Sequence, residues 1–87
     1  MNVFKNKIVS LLALKGLTSA DYARFLGIRA QALQGKYNNN RYRFSDLLKL
    51  ADMTNTRLAF VDKKGKVIVS FELSDLSNEQ EQEQANK

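Results

Sequence analysis

Cysteine and histidine are both absent from this 87-residue sequence. Their absence excludes disulfides, thiolate nucleophiles, imidazole general bases and the common zinc sites. No apolar run approaches the roughly 20 residues that a membrane-spanning helix needs, and the N-terminus lacks the apolar segment of a signal peptide. We therefore expect a cytoplasmic protein.

The residues that could support catalysis are scattered along the chain. No acidic residues cluster at metal-ligand spacing, and no glycine-rich loop of the P-loop or dinucleotide-binding kind is present. Four aspartates are interpreted as helix caps and turn residues: Asp21, Asp46, Asp52 and Asp62. The sequence predicts that the protein is not an enzyme and has no cofactor and no metal site.

Positive charge is concentrated in the first part of the chain. Residues 1–71 contain 13 Lys and Arg against 4 Asp, a net charge of +9, whereas residues 72–87 contain 5 acidic residues and one Lys, a net charge of −4. A basic domain is the electrostatic footprint of a nucleic-acid-binding protein. At this length we expect one domain with a modest core, over residues 1–73, of a size that often gains stability by oligomerising.

The first predicted helix covers about residues 3–15. Its apolar side chains recur every three or four residues, at Phe4, Ile8, Leu11 and Leu12. Such a stripe is typical of a helix that packs into a core. An amphipathic membrane anchor is the alternative, and we favour core packing because a helix-turn-helix follows.

Two short predicted helices come next, at about residues 18–26 and 30–37. Thr18 is placed to cap the first of them, with Asp21 as the acidic partner of a capping box. Gly27 is placed to end it. Two short helices separated by a tight glycine turn form a helix-turn-helix.

The second of these helices has two different faces. At about 100° per residue, one side carries Ala30, Leu33 and Tyr37, and the other carries Gln31, Gln34, Gly35 and Asn38. An amide face of this kind suits the DNA major groove, where Gln or Asn can pair with an adenine edge. An ordinary solvated helix face is the alternative.

The segment LTSADYARFLGIRAQAL resembles the helix-turn-helix of the Cro and phage-repressor-like (XRE) DNA-binding domains. The matching positions are Thr18, Ala23, Leu26, Gly27, Ile28 and Leu33, and the resemblance covers about residues 1–54. Phe25 and Lys36 depart from the family pattern, which usually has a polar residue at the first position and an apolar residue at the second. Arg29 replaces the usual small hydroxyl cap, at a cost of roughly 1 kcal/mol of helix stability.

The resemblance implies which residues contact DNA. It places Arg29, Ala30, Gln31, Gln34 and Gly35 at the DNA, and from these we expect Gln31 and Gln34 to contact bases, with Arg29 as a further reader of guanine. It also implies a phosphate contact at Ser19 and others in the loop after the second motif helix. Together with Lys36 near the end of that helix, the expected phosphate contacts are Asn39, Asn40, Arg41, Tyr42 and Arg43.

The composition of that loop also suits phosphate binding, independently of the resemblance. Consecutive asparagines mark a turn, and Arg41 and Arg43 flank Tyr42, whose hydroxyl could donate to a phosphate. An ordinary solvated basic loop is the alternative.

Phe44 then acts as a hydrophobic staple, and Ser45 is expected to cap a fourth helix at about residues 45–52.

After residue 53 the pattern changes from a helical to a strand period. The segments 57–61 and 66–73 are rich in β-formers and are joined by Asp62-Lys-Lys-Gly65, a short hairpin loop with Gly65 at positive φ. On the second strand we expect one face to carry Val67, Val69 and Phe71. The predicted fold class is therefore mainly α, a four-helix repressor-like domain with a two-stranded antiparallel C-terminal hairpin.

Both faces of this hairpin are largely apolar, and an isolated two-stranded hairpin is marginal in water. We expect a homodimer in which the hairpin meets its copy through Phe60, Val67, Ile68, Val69 and Phe71. In the alternative, the hairpin only closes its own core.

The acidic residues 74–87 are expected to be a disordered, solubilising tail, or a competitor of DNA for the basic face.

These features predict a sequence-specific DNA-binding regulator, a repressor or autoregulator of the mobile-element type. It would bind an inverted-repeat operator as a dimer and repress by occupying a promoter. One alternative is a protein-interaction module on the same scaffold, carried by Phe25, Tyr42 and the hairpin. Another is an architectural or conjugation-accessory DNA-binding protein. The operator, the regulated gene and any effector do not follow from the sequence.

Overall fold

The computed structural model describes residues 2–76, which form four helices, a β-hairpin and a final helical turn at residues 73–76. The elements are α1 (Val3–Leu14), α2 (Ser19–Leu26), α3 (Ala30–Asn39), α4 (Phe44–Met53), β1 (Leu58–Val61) and β2 (Val67–Phe71). The predicted fold class, a helical domain with a C-terminal hairpin, is confirmed. α3 continues two residues beyond its predicted end, and residues 77–87 of the predicted tail lie outside the described part of the chain.

Local hydrogen bonds define the turn between α2 and α3. Thr18 and Asp21 form the predicted capping box at the start of α2. At its end, Gly27 adopts a φ of +73°, the Gly27 amide donates to the Arg24 carbonyl and the Ile28 amide donates to the Ala23 carbonyl. This pair of bonds is a Schellman motif, which a left-handed residue makes possible. The sharp turn therefore follows directly from the local sequence.

α4 begins one residue earlier than predicted, and the prediction that Ser45 caps it is wrong. Arg43 is the N-cap residue, and its amide donates to the Asp46 carboxylate at 2.8 Å. Ser45 lies within the first turn of the helix. A carboxylate at the third helical position competes well with a serine hydroxyl, because it also interacts favourably with the positive end of the helix dipole.

The core is formed where the four helices meet. Its buried apolar residues are Ile8, Leu12, Tyr22, Ala23, Leu33, Tyr37, Leu48, Leu50 and Ala51. Phe4 is exposed, although its spacing placed it on the buried stripe of α1, and Ala30 is exposed at the start of α3. Both residues lie in the first turn of their helices, before the first buried residue of each, which is Ile8 in α1 and Leu33 in α3.

The hairpin turn matches its prediction, but the alternation of the second strand does not. Gly65 has a φ of +93°. Phe60 pairs with Val69 and Val61 pairs with Val67, so that Ile68 has no Cα partner in the register. An extra residue of this kind breaks the strict two-residue period. The expectation that Val67 shares one face with Val69 and Phe71 is therefore wrong.

An aromatic contact links the hairpin to the start of α4. The ring of Phe71 lies edge-on to Phe44 at 5.4 Å and to Phe60 at 6.2 Å between centroids. Phe71 is half-buried, whereas every residue from Phe60 to Val69 is exposed. The hairpin is thus anchored at its base and projects from the helices.

None of the helices in residues 2–76 is long and apolar enough to cross a bilayer.

Candidate nucleic-acid interface

α3 buries one side and exposes the other. Leu33 and Tyr37 are 2% and 0% exposed, and they attach the helix to the core. Gln31, Gln34 and Asn38 are exposed, and Gly35 is half-buried between the two sides. The amide face therefore lies on the protein surface, on a helix that the core holds in place.

Tyr37 fixes α3 to both of the helices that precede it. Its hydroxyl lies 2.9 Å from the hydroxyl of Ser19, at the first residue of α2. The side-chain amide of Asn2 donates to the Tyr37 carbonyl, while its oxygen accepts from the Lys5 amide as the cap of α1. Lys5 also lies over the Tyr37 ring, 5.5 Å from its centroid. The sequence pattern placed Tyr37 on the buried side but gave no sign of these polar partners.

Arg29 occupies the N-cap position of α3 and makes no side-chain capping bond. Its side chain is exposed. The first turn of the helix therefore has free amides and a nearby guanidinium, and both favour an anionic partner. The contact of Arg29 with guanine stays a prediction.

The loop between α3 and α4 contributes two exposed cations, Arg41 and Arg43. Asn40 ends α3 with a φ of +51°, and the Arg41 amide then donates to the Lys36 carbonyl at 3.0 Å. The side-chain amide of Asn39 donates to the Gly35 carbonyl at 3.0 Å. A shallow surface groove beside α3 is lined by Ala32, Gly35, Lys36, Asn39, Arg41, Tyr42 and Arg43.

Lys36 has an acidic partner that was not expected. Its ammonium lies 2.8 Å from Asp46, and the two side chains are 21% and 10% exposed. From the sequence, Asp46 was expected to be a cap or turn residue and not a partner of Lys36. The signal was present, because Lys36 stands where the resembling family usually has an apolar residue, and a partly buried ammonium requires a partner.

Tyr42 also points inward. Its hydroxyl is shielded from solvent and has no hydrogen-bond partner among the described residues. Burial raises the pKa of Tyr42 above its ordinary value, with a smaller contribution from Tyr37. In this conformation the hydroxyl does not reach the surface where a phosphate would bind.

Asp21 completes the charge pattern of α2. Hydrogen bonds from the Thr18 backbone and hydroxyl, together with the neighbouring Arg24, lower the pKa of Asp21 below its usual value. Arg24 forms an ion pair with it.

The described residues contain no cluster of three or more acidic side chains that could hold a metal ion.

The comparisons with known proteins agree with this geometry. The family model for the Cro/C1-type HTH DNA-binding domain matches residues 7–59. The matched segment contains most of α1, all of α2, α3 and α4, and the start of β1. The search of curated proteins and the search of solved structures each found no match.

Proposed function

Because the chain belongs to the Cro/C1-type helix-turn-helix DNA-binding family, we propose that it regulates transcription by binding a specific operator, as a repressor or autoregulator. The observation that carries this proposal is the exposed amide face of α3, held by buried Leu33 and Tyr37 and followed by two exposed arginines. A helix attached in this way presents the same side chains to DNA in every complex. Small regulators of this kind are typical of phages and mobile elements, and we place this protein among them.

In the proposed complex α3 lies in the major groove. Gln31 and Gln34 are three residues apart and both exposed, so they share the helix face that meets the base edges. Each can make a two-point contact with adenine, and Arg29 can do so with guanine. The half-buried Gly35 lies at the border of this face, and its lack of a side chain allows the backbone to approach the DNA closely.

The proposed phosphate contacts surround this face. Arg41 and Arg43 provide charge at the end of α3, Asn39 and Asn40 provide amides beside them, and Ser19 lies at the N-terminus of α2. Phosphate contacts set the register of the protein on the duplex without reading its sequence. We propose that Lys36 and Tyr42 stabilise the groove and do not contact phosphate. The Lys36 ammonium pairs with Asp46, and the Tyr42 hydroxyl faces the protein interior.

We further propose that the protein binds DNA as a two-fold homodimer, joined through its hairpin. Five apolar side chains are between 45% and 67% exposed on the hairpin: Phe60, Val61, Val67, Ile68 and Val69. A two-stranded sheet of this kind has two unpaired edges and is marginal alone in water. Pairing with the same element of a second copy, alongside Phe71, would cover these residues and place two α3 helices on an inverted repeat.

The direct test is equilibrium binding to fluorescent duplex DNA over a series of salt concentrations. We expect binding whose logarithmic affinity falls linearly with the logarithm of the salt concentration, because each neutralised phosphate releases counterions. A promoter-reporter assay, with an operator selected from a random duplex pool, then separates a repressor, which lowers expression, from an architectural protein, which leaves it unchanged. Absence of salt-sensitive DNA binding would contradict the proposal and favour a protein-interaction module.

A further inference from the structure

The turn of the hairpin carries three lysines that the proposed α3 interface does not use. Lys63, Lys64 and Lys66 are all exposed and lie within four positions of one another. We call these residues the lysine tip. They end a hairpin whose strands are apolar, so the charge is concentrated where the hairpin projects furthest from its base.

The turn holds the lysine tip in a fixed arrangement. One carboxylate oxygen of Asp62 accepts from the Lys64 and Lys66 amides, both at 2.9 Å. The Asp62 amide donates to the Lys66 carbonyl at 2.9 Å, and the Gly65 amide donates to the Asp62 carbonyl at 3.0 Å. The single acid of the turn is thus engaged by the backbone. The ion pairs found in residues 2–76 involve Arg24, Lys36 and Arg57 as cations.

The contacts at the base of the hairpin show which part of the helical domain it adjoins. Arg57 and Glu72 line a pocket with Ala51 and Asp52, in the last turn of α4. One position further along the hairpin, the ring of Phe71 contacts Phe44, the first residue of α4. The Phe71 contact therefore places the base of the hairpin beside Phe44, the residue that follows Arg43.

The reach of the hairpin is sufficient for DNA outside the recognition site. Lys66 lies five positions before Phe71, about 17 Å in an extended strand. The same distance along a duplex covers about five base pairs, at 3.4 Å per phosphate on each strand. Because the base of the hairpin lies beside Phe44, a cation within this reach can contact a part of the backbone different from the part that α3 and its loop contact.

We propose that the lysine tip binds the phosphodiester backbone of the same duplex, beyond the base pairs that α3 contacts. This inference rests on the proposed function, since it requires α3 to place the protein on DNA. The apolar strands contact a second copy of the protein, whereas the lysine tip contacts the DNA backbone. The contact adds affinity and salt dependence without adding base specificity.

The test compares the full-length protein with two double variants of equal charge loss. Lys63→Gln/Lys64→Gln removes two tip charges and leaves the backbone bonds to Asp62 in place. Lys7→Gln/Lys15→Gln removes two exposed charges from α1 and the residue after it. Affinity for a fluorescent 40-base-pair random duplex is measured from about 50 to 200 mM salt, the range over which phosphate contacts change affinity most clearly.

We expect the tip variant to reduce the magnitude of the salt slope by about two, since each phosphate contact contributes roughly 0.9, and to bind at least about fivefold more weakly. The Lys7/Lys15 control should keep the wild-type slope, and Lys63→Arg/Lys64→Arg should restore it because it retains the charges. An unchanged slope for the tip variant, or equal losses in both glutamine variants, would overturn this inference while leaving the proposed function intact. A wild-type protein that does not bind DNA at all would overturn both.

Discussion

The ammonium of Lys36 and the carboxylate of Asp46 lie 2.8 Å apart and connect the last part of α3 to the first turn of α4. The same carboxylate oxygen accepts the Arg43 amide at 2.8 Å. Asp46 therefore holds both ends of the basic loop, one through a side chain of α3 and one through the backbone. The position of Arg43 relative to α3 depends on this single, mostly buried carboxylate.

Replacement of Asp46 should destabilise the fold more than replacement of its partner. Asp46→Ala loses the ion pair and the helix cap, and we expect a cost of about 2 to 3 kcal/mol in the free energy of unfolding. Lys36→Gln leaves the cap in place and should cost about 1 kcal/mol. Urea unfolding measures both values. Arg57→Gln is the control, because it breaks an exposed ion pair and should cost less than about 0.5 kcal/mol; equal losses in all three variants would contradict this account.

Tyr22 should contribute to stability in a pH-dependent way. Burial raises the pKa of Tyr22 far above its ordinary value of 10.0, with a smaller effect from the charge of Asp46. Since the folded state holds this proton more tightly than the unfolded chain does, the contribution is complete below about pH 10 and is lost as the pH rises towards the folded-state pKa.

The matched variant is Tyr22→Phe, which removes the hydroxyl that donates to the Asp46 carbonyl at 2.8 Å. It should cost about 1 kcal/mol at pH 7. The difference in unfolding free energy between the variant and the wild type should shrink between pH 10 and pH 11, because the variant has no phenol to titrate at this position. Urea midpoints at both ends of that range provide the test, and a constant or growing difference would show that Tyr22 does not titrate as described.

Gln31→Ala and Gln34→Ala should each relax base preference without unfolding the protein. Both side chains are exposed, so the core is unaffected, and each lost base contact should reduce discrimination against the wrong base pair by roughly 1 to 3 kcal/mol. Competition between selected and random duplexes measures this discrimination. Equal loss of affinity for both duplexes would remove these glutamines from the base-reading role.

Arg41→Ala and Arg43→Ala should weaken binding to every sequence by a similar factor. Each substitution removes one expected phosphate contact, and the magnitude of the salt slope should fall by about one. The control is Arg57→Ala, which loses the same charge near the last turn of α4 and should leave the slope unchanged. Sequence-dependent losses in the arginine variants would instead indicate base contacts.

Val69→Lys should convert the proposed dimer into a monomer. The residue is 45% exposed in a single chain, so the fold tolerates lysine there, whereas two buried ammonium groups at a two-fold interface are costly. Sedimentation equilibrium of the wild type and the variant measures the mass. Val9→Lys on α1 is the control, at a residue of similar exposure, and an unchanged mass for Val69→Lys would place the interface elsewhere.

The parts of the fold that depend on local sequence were predictable. The Thr18 and Asp21 capping box, the left-handed Gly27 and the Gly65 turn are each determined by a few neighbouring residues, and each is present as expected. The family match over residues 7–59 agrees with the resemblance recognised in the LTSADYARFLGIRAQAL segment. These features are local because caps and turns are satisfied by backbone groups within four or five positions.

The features that were missed depend on partners distant in sequence or on irregular geometry. The Ser19 to Tyr37 hydrogen bond spans 18 positions, and no periodicity of either helix reveals it. The extra residue at Ile68 changes which valines share a face, since a pattern with a period of two assumes a regular strand. For the candidate site, the exposed glutamines follow from helix spacing and the exposed Arg41 and Arg43 from their place in a polar loop. The inward-facing Lys36 and Tyr42 required the packed structure.

The most direct test of the central claim is the selection of bound sequences from a random duplex pool at near-physiological salt, with the full-length protein. The account predicts enrichment of an inverted repeat whose half-sites lie about 34 Å apart, one helical turn, or a multiple of that spacing. Such a repeat would support both the two-fold dimer and base reading by α3. Binding without enrichment of any sequence, or no binding, would contradict the claim that this protein is a sequence-specific regulator.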